Sequence, residues 1–89
     1  MPSISTFYGI IVYVYFLDNK QHKSPHIHAK YQGYEASIGI PDGNILEGEL
    51  PSSKMKLLQA WIEIHQDELM AAWQLAVEGE QPPKIEPLR

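Results

Sequence analysis

The stretch His26-Ile27-His28-Ala29-Lys30-Tyr31-Gln32-Gly33-Tyr34-Glu35-Ala36-Ser37-Ile38-Gly39 decides the fold. Gln32-Gly33 reads as a two-residue hairpin turn, with the glycine suited to positive φ, between two runs rich in alternating apolar residues. Pairing outward sets Tyr31 opposite Tyr34, Ala29 opposite Ala36 and Ile27 opposite Ile38, so one face is wholly apolar. The other face then carries Lys30 opposite Glu35, His28 opposite Ser37 and His26 opposite Gly39. A one-residue slip would mix the two sets, so the hydrophobic pattern specifies the register.

On the N-terminal side, Phe7 to Leu17 is dense in β-branched and aromatic residues. Ile10, Val12, Val14 and Phe16 share one side, and Ile11, Tyr13, Tyr15 and Leu17 the other. Two apolar faces predict a central strand, ended by the polar turn Asp18-Asn19-Lys20-Gln21. On the C-terminal side, Pro41-Asp42-Gly43 is a turn. A three-residue loop there would bring Leu46 to Ile38 on the apolar face and Glu47 to Ser37 on the other. His26, His28, Ser37 and Glu47 would then form one polar constellation.

After Pro51 the period changes from two to about 3.6. Leu58, Trp61, Ile62, His65, Leu69, Trp73, Ala76 and Val77 fall on one stripe. Ser52 or Ser53 supplies an N-cap, Gly79 a stop, and Gln81-Pro82-Pro83 prevents continuation. A helix of some 25 residues would be about 38 Å long, so its end is expected to protrude or to break near Gln66-Asp67. The expected fold is α+β: an antiparallel sheet of three or four strands packed on one long C-terminal helix. It forms a single domain over residues 1–89, with sheet to about residue 50, helix over 52–79 and a tail over 80–89. Trp61 and Trp73 belong to the core.

The 89 residues include no cysteine, so disulfides, thiolate metal sites and thiol nucleophiles are excluded. No apolar run approaches the roughly 18 residues that span a bilayer, and Gly9 to Leu17 lacks the flanks of a signal peptide, so a cytoplasmic protein is expected. The net charge is -4, which argues against a generally basic nucleic-acid-binding surface. Between Lys20 and Tyr34, however, three lysines and three histidines occur with no acid, which leaves -7 for the remainder and a local anion-attracting patch.

That patch contains His22-Lys23-Ser24-Pro25-His26-Ile27-His28, three of the four histidines within seven residues. In a strand, His26 and His28 stand side by side on one face while Ile27 points into the core. Pro25 biases Ser24 toward extended backbone and stiffens the entry. His65 lies on the apolar helical stripe, where it is either a buried structural imidazole or a third ligand or base.

The start Met1-Pro2-Ser3-Ile4, the segment His22 through Tyr31, the Leu46-Glu47-Gly48 turn, the helix with Ile64-His65-Gln66-Asp67-Glu68-Leu69 and the ending Ile85-Glu86-Pro87-Leu88 together resemble the bacterial family catalogued as domain of unknown function 4160. The resemblance implies a small protein encoded beside another short one, in pairs suspected of being toxin–antitoxin-like modules. It also implies that the family's His-x-x-x-His-x-His pattern falls on His22, His26 and His28, and its helical histidine on His65.

Several chemistries follow from these residues. An interaction domain would dock a small protein encoded by a neighbouring gene. A ribonuclease would use His26 and His28 as base and acid, with Lys23 or Lys30 steadying a phosphate of the RNA, and His22, Ser37 and Glu47 bordering the site. A metal site would draw on His26 and His28 with His22, Glu47 or His65, holding zinc or another divalent transition metal. The apolar side chains Ile11, Tyr13, Tyr15 and Ile45 on the reverse face also suit a two-fold homodimer. No phosphate-cradling glycine loop, serine nucleophile elbow or zinc-protease motif is present.

Overall fold

The computed structural model describes residues 3–15 and 24–88. Five strands form an antiparallel meander in the order β1-β2-β3-β4-β5: β1 Ser3–Phe7, β2 Ile10–Tyr13, β3 His26–Tyr31, β4 Tyr34–Gly39 and β5 Ile45–Glu49. Two helices follow, α1 Ser52–Ile64 and α2 Gln66–Val77. The α+β class holds, and the sheet has five strands where three or four were expected. Phe7 to Leu17 is not one strand, because Tyr8 (φ 50°) and Gly9 (φ 81°) turn the chain between β1 and β2. Both positive φ values match the right-handed twist of a tight hairpin. Phe16, Leu17 and the turn at 18–21 lie outside the described residues.

The β3–β4 register is the one the apolar pattern specifies, Ile27 to Ile38, Ala29 to Ala36 and His28 to Ser37. Its turn differs in one respect: positive φ falls on Gln32 (51°), and not on Gly33. On β5, Glu47 pairs with Ser37 as expected, but Ile38 pairs with Ile45. Leu46 is the extra residue of a bulge, which allows two residues of one strand to face one of its neighbour. It lies near Gly39 and is 40% exposed.

The expected single helix is two. A rod of about 38 Å would overhang a body whose longest extent is 32 Å. The chain breaks at His65 (φ -115°, ψ 32°), which closes α1 through its amide on the Trp61 carbonyl and opens α2 through its carbonyl to Leu69. Asp67 and Glu68 in the first turn of α2 suit its positive end. Gly79 (φ 82°) ends α2 with bonds from its amide to Ala76 and from the Glu80 amide to Leu75, the pattern of a glycine-terminated helix. Pro51 precedes α1, and neither Ser52 nor Ser53 caps it.

The core lies between the helices and one sheet face. Ile4, Ile10, Val12, Ile27 and Ile38 from the sheet meet Leu58, Trp61, Ile62, Leu69 and Ala72 from the helices. Each of the valine, leucine and isoleucine side chains contributes about 1.5–3 kcal/mol on full burial. The segment after α2, expected as a tail, packs on this core: Ile85 is 4% exposed, its amide donates to the Ile4 carbonyl at 2.8 Å, and the Trp61 indole donates to the Glu86 carbonyl at 2.7 Å.

Candidate functional site

The strand parity that sends Ile27 and Ala29 into the core sends His26, His28 and Lys30 to the reverse face. The β2 register places Tyr13 opposite His28 and Ile11 opposite Lys30 on that face. His26 Nδ1 lies 2.8 Å from the Ser24 carbonyl. A carbonyl only accepts, so in the neutral ring Nδ1 carries the proton and Nε2 is the basic nitrogen. His28 Nδ1 lies 3.2 Å from Ser37 Oγ. The two imidazole centroids are 5.1 Å apart at a steep angle.

Aromatic rings wall this pair. Tyr15 meets His28 edge-on at 4.3 Å and Tyr13 stacks on it at 5.9 Å, while Trp73 of α2 reaches His26 at 6.4 Å from the rim. Only 1% of His26 and 9% of His28 is exposed. Tyr13 donates to Glu35 Oε2 at 3.2 Å and lies under the Lys30 ammonium. Burial, then Tyr15 and then Glu35, hold its hydroxyl well above the usual phenol range, which keeps it a donor to Glu35.

Beside the cluster the face becomes acidic. Glu35 stands directly opposite Glu49, Ser37 opposite Glu47, and a hollow of about 210 Å³ is lined by Glu35, Ala36, Ser37, Glu47 and Gly48. His26, His28, Lys30, Ser37 and Glu47 thus share the reverse face. His65 belongs elsewhere: at the helix junction it contacts the Trp61 ring at 5.5 Å and Glu68 Oε1 at 2.6 Å. His22 and Lys23 lie outside the described residues. Among the described residues no group of three or more His, Asp or Glu is arranged to hold a metal ion.

Sequence reasoning did not single out Tyr13, Tyr15 and Trp73 as neighbours of the histidines. The parity of Tyr13 and Tyr15 was visible, but the β2–β3 register was not.

Residues 9–74 match a family model, from Gly9 in the first hairpin turn into α2, a span that includes the histidine face. The chain belongs to the family described as Domain of unknown function (DUF4160). The DUF4160 match includes β2 to β5 and α1, and leaves β1 and the docked C-terminal segment outside it. Neither the curated proteins nor the solved structures yield a match. No helix among the described residues is long and apolar enough to cross a membrane.

Proposed function

We propose that this DUF4160 chain is a cytoplasmic protein-binding module that receives a strand of a small partner along the outer edge of β5. The partner is the product of a neighbouring gene, in a two-gene module of the toxin–antitoxin kind. One observation carries the reading: the sheet's two edges are unlike. The β1 edge is covered by the chain's own C-terminal segment, whereas every residue of β5 is exposed. An open strand edge is a template for another strand. The exposed apolar side chains Ile45 and Leu46 border it.

The test is co-expression with the neighbouring gene product followed by size-exclusion chromatography. Ile45→Lys places a charge on a half-exposed edge position, so it should leave the fold intact and abolish the complex. A complex that survives Ile45→Lys and is instead lost on substitution of reverse-face residues would overturn the assignment.

The imidazole pair supports a second reading. Two rings anchored through Nδ1 at 5.1 Å suit paired acid–base work on RNA, with Lys30 near the phosphate. A chelator-insensitive, bell-shaped rate profile, lowered roughly 10²–10⁴-fold by His28→Ala, would support it. Zinc binding that is lost in His28→Ala and competes with protons would instead support a metal site at His26 and His28. The carboxylates of Glu35, Glu47 and Glu49 disfavour a polyanion on this face, which ranks the ribonuclease below the docking module.

A further inference from the structure

The segment after α2 forms no helix or strand, yet its burial repeats every third residue. Pro82 and Ile85 are buried and Leu88 packs on the core, while Pro83, Lys84, Glu86 and Pro87 between them are exposed. Three residues per turn is the period of polyproline II, a conformation that the prolines at 82, 83 and 87 favour. That helix makes no hydrogen bonds of its own, so its main-chain groups are open to a neighbour. Here the Trp61 indole donates to the Glu86 carbonyl at 2.7 Å, and the Ile85 amide donates to the Ile4 carbonyl at 2.8 Å. Main-chain bonds beside an aromatic ring, with an apolar pocket for one side chain, are how a groove reads an extended proline-rich peptide. We infer that the groove formed by β1 and Trp61 is a polyproline-II docking site of register Pro-x-x-Ile-x-x-Leu, and that it takes this segment from a second copy of the chain in exchange for its own.

The occupant follows from what is seated there. The segment's contacts run to residues remote in sequence, Ile85 to Ile4, Glu86 to Trp61 and Lys84 to Ser3, so none of them depends on which copy's α2 the segment extends from. Gly79 (φ 82°) turns the chain out of α2 just before the stiff Pro82-Pro83 pair. A changed path at residues 79–81 would redirect the segment with those contacts intact. Two copies that exchange segments remake the same bonds and bury the same side chains, the low-cost route to a dimer. The opposing term is the tether, since a short linker holds the segment at an effective concentration of the order of millimolar. Exchange is therefore expected where copies are crowded to that level. This groove lies at the β1 edge, across the sheet from β5, so it and the partner docking proposed above fail separately.

The test uses the full chain labelled with ¹⁵N and an unlabelled peptide of residues 81–88, Gln-Pro-Pro-Lys-Ile-Glu-Pro-Leu. At roughly tenfold above the millimolar tether, the peptide should move the labelled amides of residues 84–86 to unbound positions, while the Trp61 indole resonance, its bond remade, stays in place. A peptide with its lysine and isoleucine interchanged should move nothing. For the second copy, the labelled Ile85→Ala chain is mixed with unlabelled wild-type chain at millimolar concentration. Its Trp61 indole should move to the wild-type position and sedimentation should show a dimer; should Ile85→Ala unfold, Ile85→Val takes its place. Amides 84–86 that hold still under the peptide would make the segment a fixed part of the core and overturn the inference. Displacement by the peptide with no return of the variant's indole, or with no dimer, would leave a peptide groove and overturn the second copy as its occupant.

Discussion

The Ile85 amide donates to the Ile4 carbonyl at 2.8 Å, and this bond ties the last segment of the chain to its first strand. The segment buries Ile85 and gives the Trp61 indole its acceptor on Glu86. It therefore closes the core and covers one sheet edge together.

Removal of residues 81–89 should cost about 2.5–6 kcal/mol. Loss of Ile85 burial contributes about 1.5–3, and the unpartnered Trp61 indole contributes about 1–3. With typical stabilities of about 5–15 kcal/mol, the shortened chain should fold but become concentration-dependent in light scattering, since both edges are then open. Urea denaturation checks the first effect. A truncated chain as stable and monodisperse as the full one would show that the segment only rests on the surface.

Two glycines on either side of β4 should respond in opposite ways to alanine. At Gly48, φ is 78° and an added Cβ would lie 2.2 Å from the Glu35 carbonyl oxygen. Gly48→Ala must therefore both strain its own backbone and push β5 from β4, for a loss of about 2 kcal/mol or more. Gly33 has nothing within 4 Å of such a Cβ, so Gly33→Ala should stay within about 0.5 kcal/mol. Urea midpoints compare the two, and hydrogen exchange should show protection lost in β5 for Gly48→Ala alone.

Parity explains what was legible in the sequence. The β3–β4 hairpin could be read to the residue because each strand has one apolar face and a short turn to fix the count. The same logic placed Glu47 beside Ser37. It failed where a residue takes a conformation its side chain does not advertise. Tyr8 adopts positive φ, which a tyrosine does not signal, and so one apolar run concealed a hairpin turn. Leu46 is apolar yet sits in a bulge, so alternation sent it to the wrong partner. The histidine pair was visible from its spacing. Its aromatic wall depends on a strand register and on the turn of α2 after His65, neither of which is encoded locally.

Tyr13 should give the protein an alkaline limit. In the unfolded chain its hydroxyl ionises near pH 10, whereas in the fold burial, Tyr15 and Glu35 hold it higher. Above pH 10 the unfolded state loses a proton that the native state keeps, so stability is full below that pH and falls as pH rises toward the native value. Phenolate absorbance should show a lag from Tyr13 at alkaline pH. Tyr13→Phe should remove the lag and flatten the alkaline slope, at a cost of about 0.5–1.5 kcal/mol near neutral pH. Retention of the lag in Tyr13→Phe would assign it to another ring.

His26 and His28 should separate when each is replaced by alanine. His26 is 1% exposed and donates from Nδ1 to Ser24, so His26→Ala leaves a cavity and strips that carbonyl of a donor. The expected loss is about 2–4 kcal/mol. His28 is 9% exposed at the edge of the Tyr13 and Tyr15 rings, and its replacement should cost less, about 1–2 kcal/mol. Nitrogen-15 spectra of the neutral ring should show His26 protonated at Nδ1, the tautomer fixed by a carbonyl acceptor. Partner binding along β5 should survive both substitutions in whatever fraction remains folded. A His26→Ala variant that is fully stable yet loses RNA cleavage would instead make His26 a reacting group, and would move the working site from the β5 edge to the imidazole pair.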